Sequence, residues 1–121
     1  MNWNITAGRP VYVQLVEQLE LALVAGEFPP GSRIPPVREL AADAGVNPNT
    51  MQRALTELER DGLVYSQRTS GRYVTEDRDV ISAARHALAA GKVRTFLSDM
   101  TALGFEKEEL LSQLRQEMEK E

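Results

Sequence analysis

In the run NPNTMQRAL, residues 47 to 55, one helical face is apolar and the other is made of amides, a hydroxyl and an arginine. Met51, Ala54, Leu55 and Leu58 recur at the i, i+3, i+4, i+7 spacing of a buried stripe. Asn49, Gln52, Arg53 and Thr56 repeat at helical spacing on the opposite side. That face is too polar for a core and too weakly charged for an ordinary solvated surface. Its chemistry suits the edges of base pairs: amides pair with adenine, arginine with guanine, and threonine with several groups or a thymine methyl. The helix start, with Asn47 as cap and Pro48 in the first position, adds free backbone N–H groups and a positive dipole end that suit a phosphate oxygen. A plain solvated face is the alternative reading.

The surrounding elements are those that could hold such a helix. Residues 10 to 26 read as a first helix, opened near Pro10, closed near Gly26, and striped by Tyr12, Leu15, Val16, Leu19, Ala22 and Leu23. The proline-rich loop EFPPGSRIPP follows, and Pro36 then opens a short second helix with Val37, Leu40, Ala41 and Ala44 on its buried side. Gly45 ends that helix, and only Val46 separates it from the Asn47 cap, so the two helices must cross steeply, as in a helix-turn-helix. The third helix stops at Asp61-Gly62. LVYSQ and RYVTE then alternate around the turn RTSG, predicting a two-stranded hairpin, or wing.

After Glu76-Asp77-Arg78-Asp79, read as a charged linker, the helical period returns. Ile81, Ala84, Leu88, Phe96, Leu97, Met100 and Leu103 predict one long helix or two pieces divided near Gly91, with a stop at Gly104. A last helix from about Glu106 places Leu110, Leu111, Leu114 and Met118 on one face.

Composition narrows the function classes. The chain has 121 residues, 42% hydrophobic and 26% charged, as expected of a globular protein, and its length leaves no room for a second large domain. Without cysteine there is no disulfide framework, thiol nucleophile or thiolate-bound zinc. No run approaches a membrane span and MNWNITAGRP is not a secretory signal, so a cytoplasmic location is expected. A net charge of -4 weighs against nucleic acid, but Glu106 to Glu121 holds six of the acids, whereas Gly62 to Thr75 has Arg68 and Arg72 and no acid.

The run PGSRIPPVRELAADAGVNPNTMQRALTELERDGLVYSQRTSGRYV resembles the DNA-binding domain of the GntR family of bacterial transcription regulators, over about residues 9 to 75. The REL-A motif, the GVNPNT turn, the AL-ELE-DGL helix and the glycine-bearing wing occur in family order and spacing. The resemblance implies a homodimer bound to double-stranded DNA at a palindromic operator. It gives Arg38 a backbone or guanine contact, and it places Asn47, Asn49 and Thr50 at the start of the recognition helix, with Gln52 and Arg53 a turn further on. Gly71 with Arg72 falls at the wing tip set against the minor groove. Two departures bear on the operator sequence: Pro36 stands where many members have a capping serine, and Pro48 and Gln52 stand where some have arginine.

The expected architecture is mainly α with a small β-wing: a winged helix-turn-helix at 1–75 and a short helical dimerisation segment at 76–121. That segment is too short to enclose a ligand cavity of about 300 to 1,000 Å³ and is similar to the short YtrA-type branch. Phe96, Leu97, Met100, Leu103, Phe105, Leu110, Leu111, Leu114 and Met118, taken as exposed, would be covered by a symmetric partner. An unknown small-molecule effector would act at that interface or near residues 75 to 80.

Plainer readings stand beside these. Arg38 could pair with its neighbour Glu39, and Arg68 and Arg72 could only keep a hairpin edge soluble. Trp3 and Tyr12 read as packing residues, and Glu57, Glu59 and Asp61 as acids solvating a helix end. His86 has no partners for a metal, and Ser66, Ser70 and Ser82 have no nearby base, so no cofactor and no enzymatic activity are expected. The rival function is a winged-helix protein-binding adaptor.

Overall fold

The computed structural model describes residues 1–121, which divide into two compact units, Met1–His86 and Ala87–Glu121. In the first, α1 (Val11–Val24), α2 (Val37–Ala44) and α3 (Pro48–Arg60) precede the antiparallel strands β1 (Val64–Gln67) and β2 (Gly71–Val74). The chain is therefore mainly helical with one small wing.

Local chemistry fixes each boundary. The Asn47 Oδ1 accepts from the Asn49 N–H at 2.8 Å, and Pro48 fills the first position of α3. Pro36 precedes α2 without any side-chain cap, as proline must. Gly45, at φ 71°, reverses the chain so that the Val46 N–H reaches the Ala41 carbonyl at 3.0 Å. That single left-handed residue sets the tight α2–α3 turn.

Helix α3 lies at the centre, packed against α1, α2 and β1. Its Met51, Ala54, Leu55 and Leu58 are buried among Leu15, Leu19 and Leu23 of α1, Leu40 and Ala41 of α2, and Val64 and Val74 of the wing. The sequence stripe and the observed core coincide here, because a helix with one apolar face has one way to bury it.

The segment 31–34 departs from the expected simple loop. Val74 N–H donates to Ser32 O at 2.9 Å, Ile34 N–H to Arg72 O at 3.0 Å and Gly31 N–H to Val74 O at 3.0 Å, so this segment runs along β2 as a short third ribbon. The flanking prolines at 29, 30, 35 and 36 do not prevent this pairing, since the donors come from Gly31, Ile34 and Val74.

Two glutamines hold the N-terminal arm. Gln14, 3% exposed, accepts from the Thr6 N–H and donates to the Thr6 and Arg9 carbonyls. Gln18 exchanges the same pair of bonds with Asn4. Trp3, packed on the core, donates its indole N–H to Asp43 at 2.8 Å.

The expected linker 76–79 is shorter. α4 (Arg78–Ala102) already includes Arg78 and Asp79, and Asp77 caps it by accepting from the Asp79 N–H at 3.0 Å. Val80, Ile81 and Ala84 pack on the core of the first unit. Gly91 lies within α4, which is continuous. In the second unit, Gly104 at φ 88° turns the chain, and α5 (Lys107–Glu119) follows, with the Glu106 N–H donating to the Glu109 carboxylate at 3.3 Å. No helix is long and apolar enough to cross a membrane.

Because the Gln14 amide is buried and bonded at both its oxygen and its nitrogen, Gln14→Ala is expected to cost roughly 1 to 3 kcal/mol, and Gln18→Ala, at a half-buried position, distinctly less. Urea unfolding of both variants decides this, and equal costs would remove the distinction. A second expectation concerns Glu20. Burial raises its carboxyl above the ordinary range, and Asp61, Glu17 and Glu57 add to the shift. The folded state binds the proton more tightly, so ionised Glu20 opposes folding at neutral pH and that opposition fades as pH falls through the raised value. Glu20→Gln should raise Tm at about pH 7, with a gain that shrinks toward about pH 4; a gain constant across that range would contradict the assignment.

Candidate nucleic-acid interface

Burial of one side of α3 leaves Asn49, Gln52, Arg53 and Thr56 exposed on the other. Asn47 spends its oxygen on the cap, so only its NH2 group remains free. Thr50 is half-buried, one residue before the buried Met51. Arg53 lies with its guanidinium 3.8 Å from the centre of the Tyr12 ring, which orients it against α1. Arg38, on α2, is exposed and makes no ion pair with Glu39.

The wing is attached to α3 by a carboxylate. Glu59 accepts from the Ser66 hydroxyl of β1 at 2.7 Å and from the Nε of Arg72 on β2, whose side chain is only 18% exposed. Arg72 also points its Nη1 at the Gln52 Oε1, 3.5 Å away. Burial alone would raise the Glu59 pKa; the hydrogen bonds from Arg72 and Ser66, with the Arg72 charge, outweigh it and hold the carboxyl below its usual range. Glu59 thus joins α3 to the wing, where the sequence reading has it solvating a helix end. Glu57 does stay with its own helix, paired with Arg60 at 2.8 Å.

Arg68, Thr69 and Ser70 form the wing tip, with Arg68 exposed. Gly71 stands just behind it, opposite Gln67 in the ladder, at φ 110°. A side chain there would be strained, and its Cβ would come within 3.0 Å of the Arg33 guanidinium. Arg33, which the sequence analysis does not single out, is thereby laid along the wing. Its signal is non-local: the pairing of residues 31–34 with β2. Tyr65 and Tyr73 stack across the ladder with centroids 5.8 Å apart.

Away from the wing, His86 donates from Nδ1 to the Ser82 carbonyl at 2.8 Å. No group of three or more His, Asp or Glu side chains is arranged to hold a metal. In the second unit Phe96, Leu97, Leu103, Leu111, Leu114 and Met118 are exposed, and Met100 is half-buried. Leu110, expected on the same open face, is instead buried. It sits one helical turn past the start of α5, close behind the reversal at Gly104, whereas the later leucines lie beyond it.

Known proteins resemble this chain in sequence and fold. The model of the family described as bacterial regulatory proteins, gntR family, matches residues 11–74. The chain is 34% identical to the HTH-type transcriptional regulator YhcF of Bacillus subtilis over 95% of each chain. It is 31% identical to the transcriptional repressor YtrA of the same organism, over 84% of this chain and 78% of that one. A GntR family transcriptional regulator from Listeria monocytogenes superposes with a TM-score of 0.85 at 34% identity, covering 92% of this chain and 97% of that one. The AraR DNA-binding domain, solved in complex with operator ORE1, aligns with a TM-score of 0.54 at 27% identity, over 62% of this chain and 94% of that one.

The lowered Glu59 pKa carries a pH expectation. Its clamp contributes stability above the unfolded-state pKa and loses it as pH falls through the folded value. The NMR signals of the stacked Tyr65 and Tyr73 rings should therefore shift on acidification with a midpoint below 4.5, the ordinary value for this group. Glu59→Ala should abolish that transition, and a wild-type midpoint at or above 4.5 would contradict the clamp.

Proposed function

The chain belongs to the gntR family of bacterial regulatory proteins, and from that membership we propose that it is a repressor that binds an inverted-repeat operator as a homodimer. It is a DNA-binding transcription regulator, not an enzyme. The observation that carries the finer reading is the amide-rich face of α3, with the wing held beside it by Glu59.

In this reading residues 1–75 form the DNA-binding head. One α3 per half-site enters the major groove, where Asn49, Gln52 and Arg53 meet base edges. The Thr50 hydroxyl and the free NH2 of Asn47, at the positive end of α3, take a phosphate; the Asn49 and Thr50 N–H groups are already spent on Asn47. Arg38 and Arg68 meet the backbone, and the wing tip around Gly71 lies along the minor groove, while the Arg72 side chain stays turned back onto α3. Residues 76–121 dimerise through Phe96, Leu97, Met100, Leu103, Leu111 and Leu114, with the buried Leu110 supporting that face from within. The exposure of so many large apolar side chains supports a symmetric partner. Repression follows from competition with the transcription machinery for the operator, and the repressor YtrA among the relatives supports that sign. The protein acts in the cytoplasm. A small-molecule effector, if bound more tightly by one state of the dimer, would shift the spacing of the two heads.

Selection from a random duplex library at about physiological salt should recover an inverted repeat with half-sites about one helical turn apart. Asn49→Ala should then cost roughly 1 to 3 kcal/mol on that operator and far less on random DNA. Sedimentation should give a dimer at micromolar concentration. No enriched sequence, with binding insensitive to salt, would favour the protein-binding adaptor, the reading that the net charge of -4 supports.

A further inference from the structure

On the reading that α3 lies in the major groove, we infer that Arg72, anchored by Glu59, fixes the orientation of the Gln52 amide so that Gln52 selects guanine over adenine. Gln52 and Glu59 are seven residues apart, two turns along one face of α3. Arg72 reaches both from β2: its Nε binds the Glu59 carboxylate and its Nη1 lies 3.5 Å from the Gln52 Oε1.

A guanidinium has donors and no acceptor, so the amide must turn its oxygen toward Arg72 and its NH2 group away. Thr56, between the two on the same face, donates its hydroxyl back to the Gln52 carbonyl at 2.9 Å and does not compete for the amide. An unconstrained glutamine reads adenine with both ends, its oxygen accepting from N6 and its nitrogen donating to N7. Here the oxygen lies 3.5 Å from a cation. An adenine amino group brought to it would face that positive charge, whereas guanine offers acceptors at O6 and N7 to the outward NH2 group and to the field of Arg72. Arg72 is a positioning residue in this scheme, and Gln52 the base reader.

The test is binding-site selection with the full-length protein and its Gln52→Ala, Arg72→Ala, Arg72→Lys and Glu59→Gln variants. The half-site position whose preference vanishes in Gln52→Ala is the one Gln52 reads. At that position wild type should favour guanine over adenine by about tenfold, and Arg72→Ala should reverse the preference by a similar factor. Arg72→Lys, which keeps a cationic donor, should retain guanine, and Glu59→Gln should shift it partly toward adenine. Circular dichroism melts establish which variants fold; if Arg72→Ala does not, the Glu59→Gln and Arg72→Lys pair gives the answer. An unchanged preference in the folded Arg72 and Glu59 variants, or a Gln52→Ala variant with every position intact, overturns the inference and leaves operator binding standing. If wild type enriches no sequence, the operator reading itself falls and takes the inference with it.

Discussion

The first unit depends on the burial of one stripe of α3. Met51, Ala54 and Leu55 are fully enclosed and Leu58 is 1% exposed. Core side chains at such density cannot shift by a fraction of a turn without opening voids, each costing of the order of a kilocalorie per mole or more. The helix is therefore fixed in rotation, and with it the direction in which Asn49, Gln52 and Arg53 project. Reading a groove demands that fixity, because base-edge hydrogen bonds tolerate only small errors in donor placement.

Polar contacts extend that rigid frame outward. Gly45 brings the end of α2 against the start of α3 through one residue of left-handed backbone. On the far side Glu59 converts the C-terminal half of α3 into a support for the wing, holding Ser66 on one strand and Arg72 on the other. Residues 31–34 brace β2 from its second edge, and the backbone at φ 110° leaves glycine as the fitting residue at 71. A two-stranded ribbon alone would be marginal; one tied to a helix and paired on its open edge is not.

What the sequence makes legible follows the range of each interaction. The cap at Asn47, the glycines at 45, 62 and 104, the stripe of α3 and the hairpin depend on neighbours a few positions away, and each stands where the pattern puts it, except that Gly71, expected within the turn RTSG, begins β2. The ribbon at 31–34 and the glutamines holding the arm join residues that no local period relates. Glu59 illustrates the limit. By type and position it is an acid near a helix end, and only the return of β2, 13 residues later, makes it a clamp. Leu110 errs for a related reason, since a helical stripe gives direction around an axis but not where along the axis a neighbouring turn provides cover.

The charge distribution fits a reader that relies on amides. Apart from the terminal ammonium of Met1, every cation of Met1–His86 is an arginine, and the lysines, at 92, 107 and 120, all lie in the second unit. Several of those arginines are already committed: Arg9 to Glu17, Arg60 to Glu57, Arg72 to Glu59, and Arg53 to the face of Tyr12. Of the arginines near the turn and wing, Arg33, Arg38 and Arg68 hold no acid. Few free cations mean few released counterions, so nonspecific attraction to DNA is weak. On the proposed reading, discrimination then falls to groups such as Asn49 and Gln52, whose hydrogen bonds are directional and whose misplacement would leave a desolvated polar group unpaired. On that reading, an acidic chain built this way gives up affinity for arbitrary sequence, and that loss would widen the ratio between an operator and the rest of the DNA.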